Sequence, residues 1–240
     1  MRIFHKIKNE LRIWRNLIRR RLYVSSKTEQ GLIERFHQLY YGPGNVVSGF
    51  PWHNTRWLGS KVFKCPFDLW TYQEIIFELK PDVIIECGTA DGGGTLFFAS
   101  MCDLVGKGSV VSVDYRPREN LPKHTRITYV TGSSVSGETF EEVKKRIKSE
   151  DVVLVILDSD HTQKHVLAEL FLYGKLVTLG SYLVVEDTNI NGNPVAFDFG
   201  PGPAEAVREF MSENKDFVVD KSREKFYLTF NPGGYLKKIK

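Results

Sequence analysis

The chain has 240 residues, 42% of them hydrophobic and 26% charged. Those values fit one ordinary globular domain with an extension and exclude a largely disordered chain. No apolar run approaches the roughly 20 residues of a membrane-spanning helix, and the three scattered cysteines (Cys65, Cys87, Cys102) exclude a disulfide framework or a cysteine zinc site. A reducing, cytoplasmic setting is therefore expected. The formal charge of +4 is uneven: residues 1–23 hold eight Lys/Arg and one acid, Glu10, for a net +7, which leaves −3 on the rest. A slightly acidic body gives no reason to expect a nucleic-acid partner.

Ile3, Ile7, Leu11, Trp14, Ile18 and Leu22 recur every three or four residues, so they form one apolar stripe on a helix. Arg12, Arg15, Arg19, Arg20 and Arg21 lie mostly off that stripe. Such a helix fits peripheral contact with an anionic membrane through residues 1–23. The simpler reading is packing on the body or on a neighbouring subunit, and a homo-oligomer is expected on that ground. A second helical pattern covers Thr28–Tyr40, followed by a loop rich in glycine and aromatics up to Trp57 and Gly59. Residues 1–61 are read as an extension with an aromatic loop, and 62–240 as the main domain.

From Pro66 onward helices and strands alternate. Helices are predicted at Asp68–Leu79, Thr95–Val105, Thr139–Lys148, Lys164–Tyr173 and Ala204–Asn214. Strands are predicted at Asp82–Cys87, Ser109–Asp114, Ile127–Thr131, Val152–Asp158 and Tyr182–Glu186, with Phe217–Asp220 and Phe226–Phe230 as a closing antiparallel pair. Continuous apolar strands between helices imply a mostly parallel sheet covered on both faces, an α/β fold. Ligands of such sheets collect beyond the carboxyl ends of the strands.

The residues at those ends carry the chemistry. The first strand ends in Glu86-Cys87-Gly88-Thr89-Ala90-Asp91-Gly92, an E-x-G-x-x-x-G turn. Its glycines let a ligand approach the backbone, and its acid can accept hydrogen bonds from a cationic or amino-bearing ligand. Ala90 departs from the dinucleotide G-x-G-x-x-G pattern and disfavours NAD. Asp114 ends the second strand, where it can hold ribose hydroxyls, and Gly132-Ser133-Ser134 after the third suits a base edge. Asp158, Asp160 and His161 follow the fourth strand, and Glu186 and Asp187 follow the fifth. Four carboxylates on one rim repel one another without a counter-ion. An oxygen-rich set favours Mg²⁺, with Mn²⁺ or Ca²⁺ as alternatives. The competing reading makes Asp160 or Ser159 a helix cap and Glu186-Asp187 a loop. His161, beside the acids, is the candidate general base; His165 is read as a helix-surface or packing residue.

The stretches KCPFDLWTYQEIIFELKPDVIIECGTADGGGTLFFAS (Lys64–Ser100), LDSDHTQKHV (Leu157–Val166) and VVEDTNINGNPVAFDFGPGPAEAV (Val184–Val207) resemble the cephalosporin hydroxylase family over about residues 50–215. The resemblance implies a Rossmann-like class I S-adenosylmethionine-dependent methyltransferase fold with a seven-stranded sheet. It also implies a Mg-assisted O-methyltransferase acting on a hydroxyl of a small molecule or sugar, in natural-product or glycan modification. By the same resemblance Glu86, Gly88, Asp91, Asp114, Ser134 and Asp158 line the cofactor site, and Asp160, Glu186 and Asp187 hold the metal. His161 and Asp160 are then the catalytic pair. Related metal-dependent methyltransferases place the first metal acid at Asp158 instead. At Gly94-Thr95, where a glycine-serine pair is expected, a lost hydroxyl would weaken a cofactor contact. The alternatives are a non-catalytic cofactor-binding member and a hydroxylase-associated component of antibiotic biosynthesis. An iron oxygenase wants two His and one carboxylate, and only His161 is well placed.

Overall fold

The computed structural model describes residues 28–42, 50–116 and 118–240. The N-terminal stripe and residues 43–49 of the aromatic loop lie outside them. Helix α1 spans Glu29–Tyr41, capped by the Thr28 hydroxyl on Gly31 N–H. A 3-10 turn, Pro51–Asn54, leads into a small antiparallel hairpin of β1 (Arg56–Trp57) and β2 (Ser60–Lys61). There Trp57 packs edge-on against Phe97 and donates its indole N–H to Ser100 at 3.0 Å. The main body then runs α2 (Pro66–Leu79), β3 (Val83–Cys87), α3 (Gly93–Val105), β4 (Ser109–Asp114) and β5 (Ile127–Thr131). It continues with α4 (Gly137–Lys144), β6 (Val153–Leu157), α5 (Gln163–Tyr173), β7 (Tyr182–Val185), α6 (Pro203–Glu213), β8 (Phe217–Val219) and β9 (Tyr235–Lys238).

Seven of these strands form one sheet in the order β5-β4-β3-β6-β7-β9-β8. Every neighbouring pair is parallel except those of β9, which runs against both β7 and β8. The expected α/β architecture is therefore the observed one. The chain builds outward from β3 to β5, then returns to place β6 on the other side of β3. This reversal opens a crevice between the carboxyl ends of β3 and β6, where doubly wound sheets bind ligands.

Strand alternation assigns the two cores. Val83, Ile85 and Cys87 of β3, with Val153, Val155 and Leu157 of β6, face Val143, Leu170, Tyr173, Val207 and Phe210 from α4, α5 and α6. Ile84, Leu154 and Ile156 face the other way, onto Tyr72, Ile75 and Ile76 of α2 and Phe97, Phe98 and Cys102 of α3. Each apolar side chain so buried stabilises the fold by roughly 1.5–3 kcal/mol relative to exposure. Period two then puts Glu86 on the α2/α3 face, at the strand's last turn before the crevice.

One expected strand is corrected. Phe226–Phe230 forms no strand; the partner of β8 is β9, the Tyr-Leu-Lys-Lys stretch near the C-terminus. Leu228 and Phe230 instead pack with Cys65 and with Tyr40, Tyr41 and Trp52 in a small separate cluster. The return toward β9 is strapped to α2 by Asp68. Its buried carboxylate accepts from the Thr229 hydroxyl, from Phe230 N–H at 2.8 Å and from the Tyr235 hydroxyl at 2.8 Å. Among the described residues no helix is long and apolar enough to cross a membrane.

Burial pushes the Asp68 carboxyl up to about 6 against the pull of those three donors. The folded chain holds this proton to a higher pH than the unfolded chain, whose carboxyl titrates near 4. The stability it contributes is whole below about pH 4 and lost as pH rises through about 6. Relative to Asp68→Asn, the unmodified chain is expected to lose about 2–3 kcal/mol between pH 4 and pH 7, read from urea midpoints. A difference that stays flat across that range contradicts this account.

Candidate active site at the crevice

The turn after β3 is held by main-chain contacts. Gly88 N–H donates to Val113 at 2.8 Å, and Asp158 N–H donates to Cys87 at 2.7 Å. Gly88 has φ +105°, and a Cβ there would lie 1.8 Å from the Asp158 carbonyl oxygen. Only glycine lets the ends of β3 and β6 close to this distance. Ala90 also adopts positive φ, 47°. Its N–H and that of Thr89 both donate to Asp114, at 3.1 and 3.0 Å. Asp114 thus fastens the turn from the end of the neighbouring strand. Asp91 pairs with Arg118, and the Ser134 hydroxyl lies 2.9 Å from His165 Nε2.

Glu86 is buried beneath the turn. It accepts from the Thr95 hydroxyl and from Ser112 at 2.9 Å. Burial pushes its carboxyl up to about 7, against the opposing pull of Lys64 and the two hydroxyls. At Gly94-Thr95, the threonine carries a hydroxyl of its own and gives it to Glu86. Gly94 has its own reason: a Cβ there would meet Lys64 Cε at 2.6 Å and Glu86 Oε1 at 2.7 Å.

Of the acids on the β6 and β7 ends, the structure brings two together with the histidine. Asp158, His161 and Asp187 offer ligand atoms that all lie within 4.8 Å of one another. His161 Nε2 stands 3.4 Å from Asp187 Oδ2. Burial pushes the Asp187 carboxyl up to about 6, His161 pulls it down and Asp158 pushes it up again. Asp160 points elsewhere. It is exposed and accepts from Thr162 N–H at 2.8 Å, a bond that holds its carboxyl below the usual range. This closes a turn just ahead of α5; the helix itself starts after Thr162 and has no side-chain cap, so neither Asp160 nor Ser159 caps it. Glu186 is buried and turned to the α2/α3 side, where it accepts from Lys64 at 2.6 Å and from the Tyr72 hydroxyl at 2.7 Å.

Lys64 is the residue that sequence reasoning left without a role. Its ammonium is 2% exposed, 2.5 Å from Asp158, 2.6 Å from Glu186 and 3.8 Å from Glu86. Burial pulls its pKa down, but the carboxylates of Asp158, Glu186 and Glu86 outweigh that and hold it well above the ordinary lysine range. The signal was the crowding of acids itself, which demands a cation, together with a lysine inside the apolar stretch VFKCPF. Tyr41 is the second. Burial, then the charges of Asp187 and Asp158, push its hydroxyl up. Its ring stacks on Trp52 at 5.3 Å.

A glycine turn, an acid at each of three strand ends and an oxygen-rich cluster at the crevice define the class I methyltransferase arrangement. The profile of the rhamnosyl O-methyltransferase/CmcI family matches residues 50–239. A rhamnosyl O-methyltransferase of Mycobacterium leprae is 40% identical over 212 residues, 85% of this chain and 90% of the relative. One of Mycobacterium tuberculosis H37Rv is 39% identical over 218 residues, 88% of this chain and 86% of the relative. Among solved structures, CmcI with Mg and S-adenosylmethionine superposes with a TM-score of 0.61 at 18% identity, covering 85% of this chain and 84% of that one. MycE, a methyltransferase of the mycinamycin pathway in complex with Mg, S-adenosylhomocysteine and mycinamycin VI, gives 0.53 at 16% identity, covering 70% and 48%. The chain belongs to the rhamnosyl O-methyltransferase/CmcI family, and with it to the S-adenosylmethionine-dependent O-methyltransferases.

Gly88→Ala adds a Cβ where the Asp158 carbonyl already stands and where φ is positive. It is expected to lose about 3 kcal/mol of stability, at the upper end for point changes, measured by urea denaturation. A loss below about 0.5 kcal/mol would show that β3 and β6 part at this point without cost.

Proposed function

We propose that the crevice transfers a methyl group from S-adenosylmethionine to a hydroxyl of a saccharide, with Mg²⁺ held by Asp158 and Asp187 and with His161 as the base. The observation that carries this reading is the Asp158–His161–Asp187 cluster at the carboxyl ends of β6 and β7. Asp158 and Asp187 offer hard carboxylate oxygens that suit a small divalent cation, and the His161 imidazole stands beside them, free to act as base. The similarity to rhamnosyl O-methyltransferases supports a deoxyhexose hydroxyl as acceptor.

When bound, the sulfonium supplies an activated methyl and the metal lowers the pKa of a coordinated hydroxyl. The remaining work belongs to the chain. Glu86 and Asp114 hold the turn at whose backbone the cofactor lies, Asp114 through its bonds to Thr89 and Ala90. His161 accepts the acceptor's hydroxyl proton at Nε2, and Asp187, 3.4 Å away, steadies the imidazolium that forms. Tyr41 and Trp52 form an aromatic wall on the α1 side, able to exclude water from the acids and to face a sugar ring. Asp160, engaged with Thr162, takes no part in this reading.

Transfer of labelled methyl from S-adenosylmethionine to a rhamnosylated acceptor is expected to need Mg²⁺ and to stop in EDTA. His161→Ala is expected to lower kcat about 10²- to 10⁴-fold, the usual share of a positioned base. Full activity in EDTA, or a His161→Ala rate within a factor of two or so of the parent, overturns the mechanism.

A further inference from the structure

We propose that Lys64 is a positioning residue of this site, a fixed cation that assembles the acids before metal or cofactor arrives. The inference rests on the proposed metal-assisted reading of the crevice. It goes beyond it by assigning a second, permanent counter-ion supplied by the chain. Lys64 sits in the segment between β2 and α2 and reaches under the glycine turn. Its Nζ touches Asp158 on one side and Glu186 on the other, with Glu86 behind at 3.8 Å. These three acids come from the ends of β6, β7 and β3, so a single ammonium ties the metal side of the crevice to the cofactor side.

The surroundings are built for this placement. Gly94 leaves the space that the Lys64 stem fills, since any Cβ there would meet its Cε at 2.6 Å. Tyr72 donates to the same Glu186 oxygen that Lys64 reaches, and Thr95 and Ser112 donate to Glu86. Each of these carboxylates therefore has a fixed orientation. The ammonium lies 5.9 Å above the Phe98 ring, a further favourable contact for a desolvated cation.

The charge count gives the division of labour. Glu86, Asp158, Glu186 and Asp187 bring four carboxyl groups to the crevice. Lys64 supplies one positive charge, a divalent ion two and a sulfonium one. The lysine stays as the resident cation, and the metal is added on the Asp158–His161–Asp187 side. Removing the lysine leaves the cluster more negative, so it draws Mg²⁺ more strongly, while Asp158 and Glu186 lose the partner that orients them.

The test compares the native chain with Lys64→Met, similar in length but uncharged. Melting is followed with EDTA and with rising Mg²⁺ alone, and kcat is measured against Mg²⁺ concentration. Native protein in EDTA is expected to stay folded. Lys64→Met is expected to melt lower in EDTA and to gain more from Mg²⁺ than the native chain gains. Its half-saturating Mg²⁺ should fall about tenfold, as expected when a like charge leaves the cluster. Its kcat should drop about 10- to 100-fold, the scale for groups that orient metal ligands. Lys64→Arg, which restores the charge, should move the Mg²⁺ requirement back toward the native value. A merely structural lysine would lower melting equally with and without Mg²⁺, and that outcome overturns the proposal. So does unfolding of the native chain by EDTA, which needs no variant. Absent methyl transfer by the native chain would instead count against the proposed function, leaving the melting comparison to judge Lys64 alone.

Discussion

The structure turns on one buried ammonium. Parallel strands of an α/β sheet bring their carboxyl ends to one edge, and here three adjacent ends supply Glu86, Asp158 and the Glu186-Asp187 pair. Isolated carboxylates taken out of water at this spacing would protonate or push apart. Lys64, 2% exposed and within 2.6 Å of two of them, opposes both. A buried ion pair adds little net stability by itself, because desolvation offsets much of the Coulomb gain. What it fixes is geometry: the acids are held in one arrangement.

The rest of the fold serves that arrangement. Period two along β3 places Ile84 in the α2/α3 core and Glu86 one turn further on the same face, where Lys64 and Tyr72 can reach the same cluster. The neighbouring register pairs Glu86 with Ser112 on β4, so the hydroxyl that satisfies the acid arrives by strand pairing alone. On the opposite face, Val155, Leu157, Leu170 and Phe210 form a continuous apolar layer. The polar contents of the site are thus kept to the edge, and the two cores anchor the strands that present them.

Much of this was legible in the sequence. Runs such as DVIIEC and VVLVILD read as buried parallel strands, and the residues after them could be ordered along one rim. Six of the sheet's seven strands and their helices follow from that pattern, with boundaries within a few residues. Where the reading failed, the reason is physical. Tyr235–Lys238 carries two lysines and follows paired glycines, so it looks like a solvated tail, while the Phe-rich Phe226–Phe230 looks like a strand. Tertiary contacts decide otherwise: Tyr235 reaches Asp68, and Phe230 reaches Trp52 and Tyr41. Asp158 and Asp160 are two residues apart at a strand end, and spacing alone gives no reason to prefer either. The hydrogen bond from Thr162 draws Asp160 outward and leaves Asp158 facing the crevice. Lys64 was missed for a different reason: the crowded acids call for a cation, but the sequence does not say which one. A lone lysine ahead of a helix is ordinary, and only the fold shows that it meets acids far downstream in the chain.

The account's central claim is that Asp158 and Asp187, not Asp160, face the ion that assists methyl transfer. Electron paramagnetic resonance of Mn²⁺ titrated into the chain in the presence of S-adenosylhomocysteine tests it directly. The account predicts that Asp160→Asn binds Mn²⁺ as the native chain does, while Asp158→Asn and Asp187→Asn leave the ion free in solution. Loss of the bound signal in Asp160→Asn, with Asp158→Asn unaffected, would contradict it.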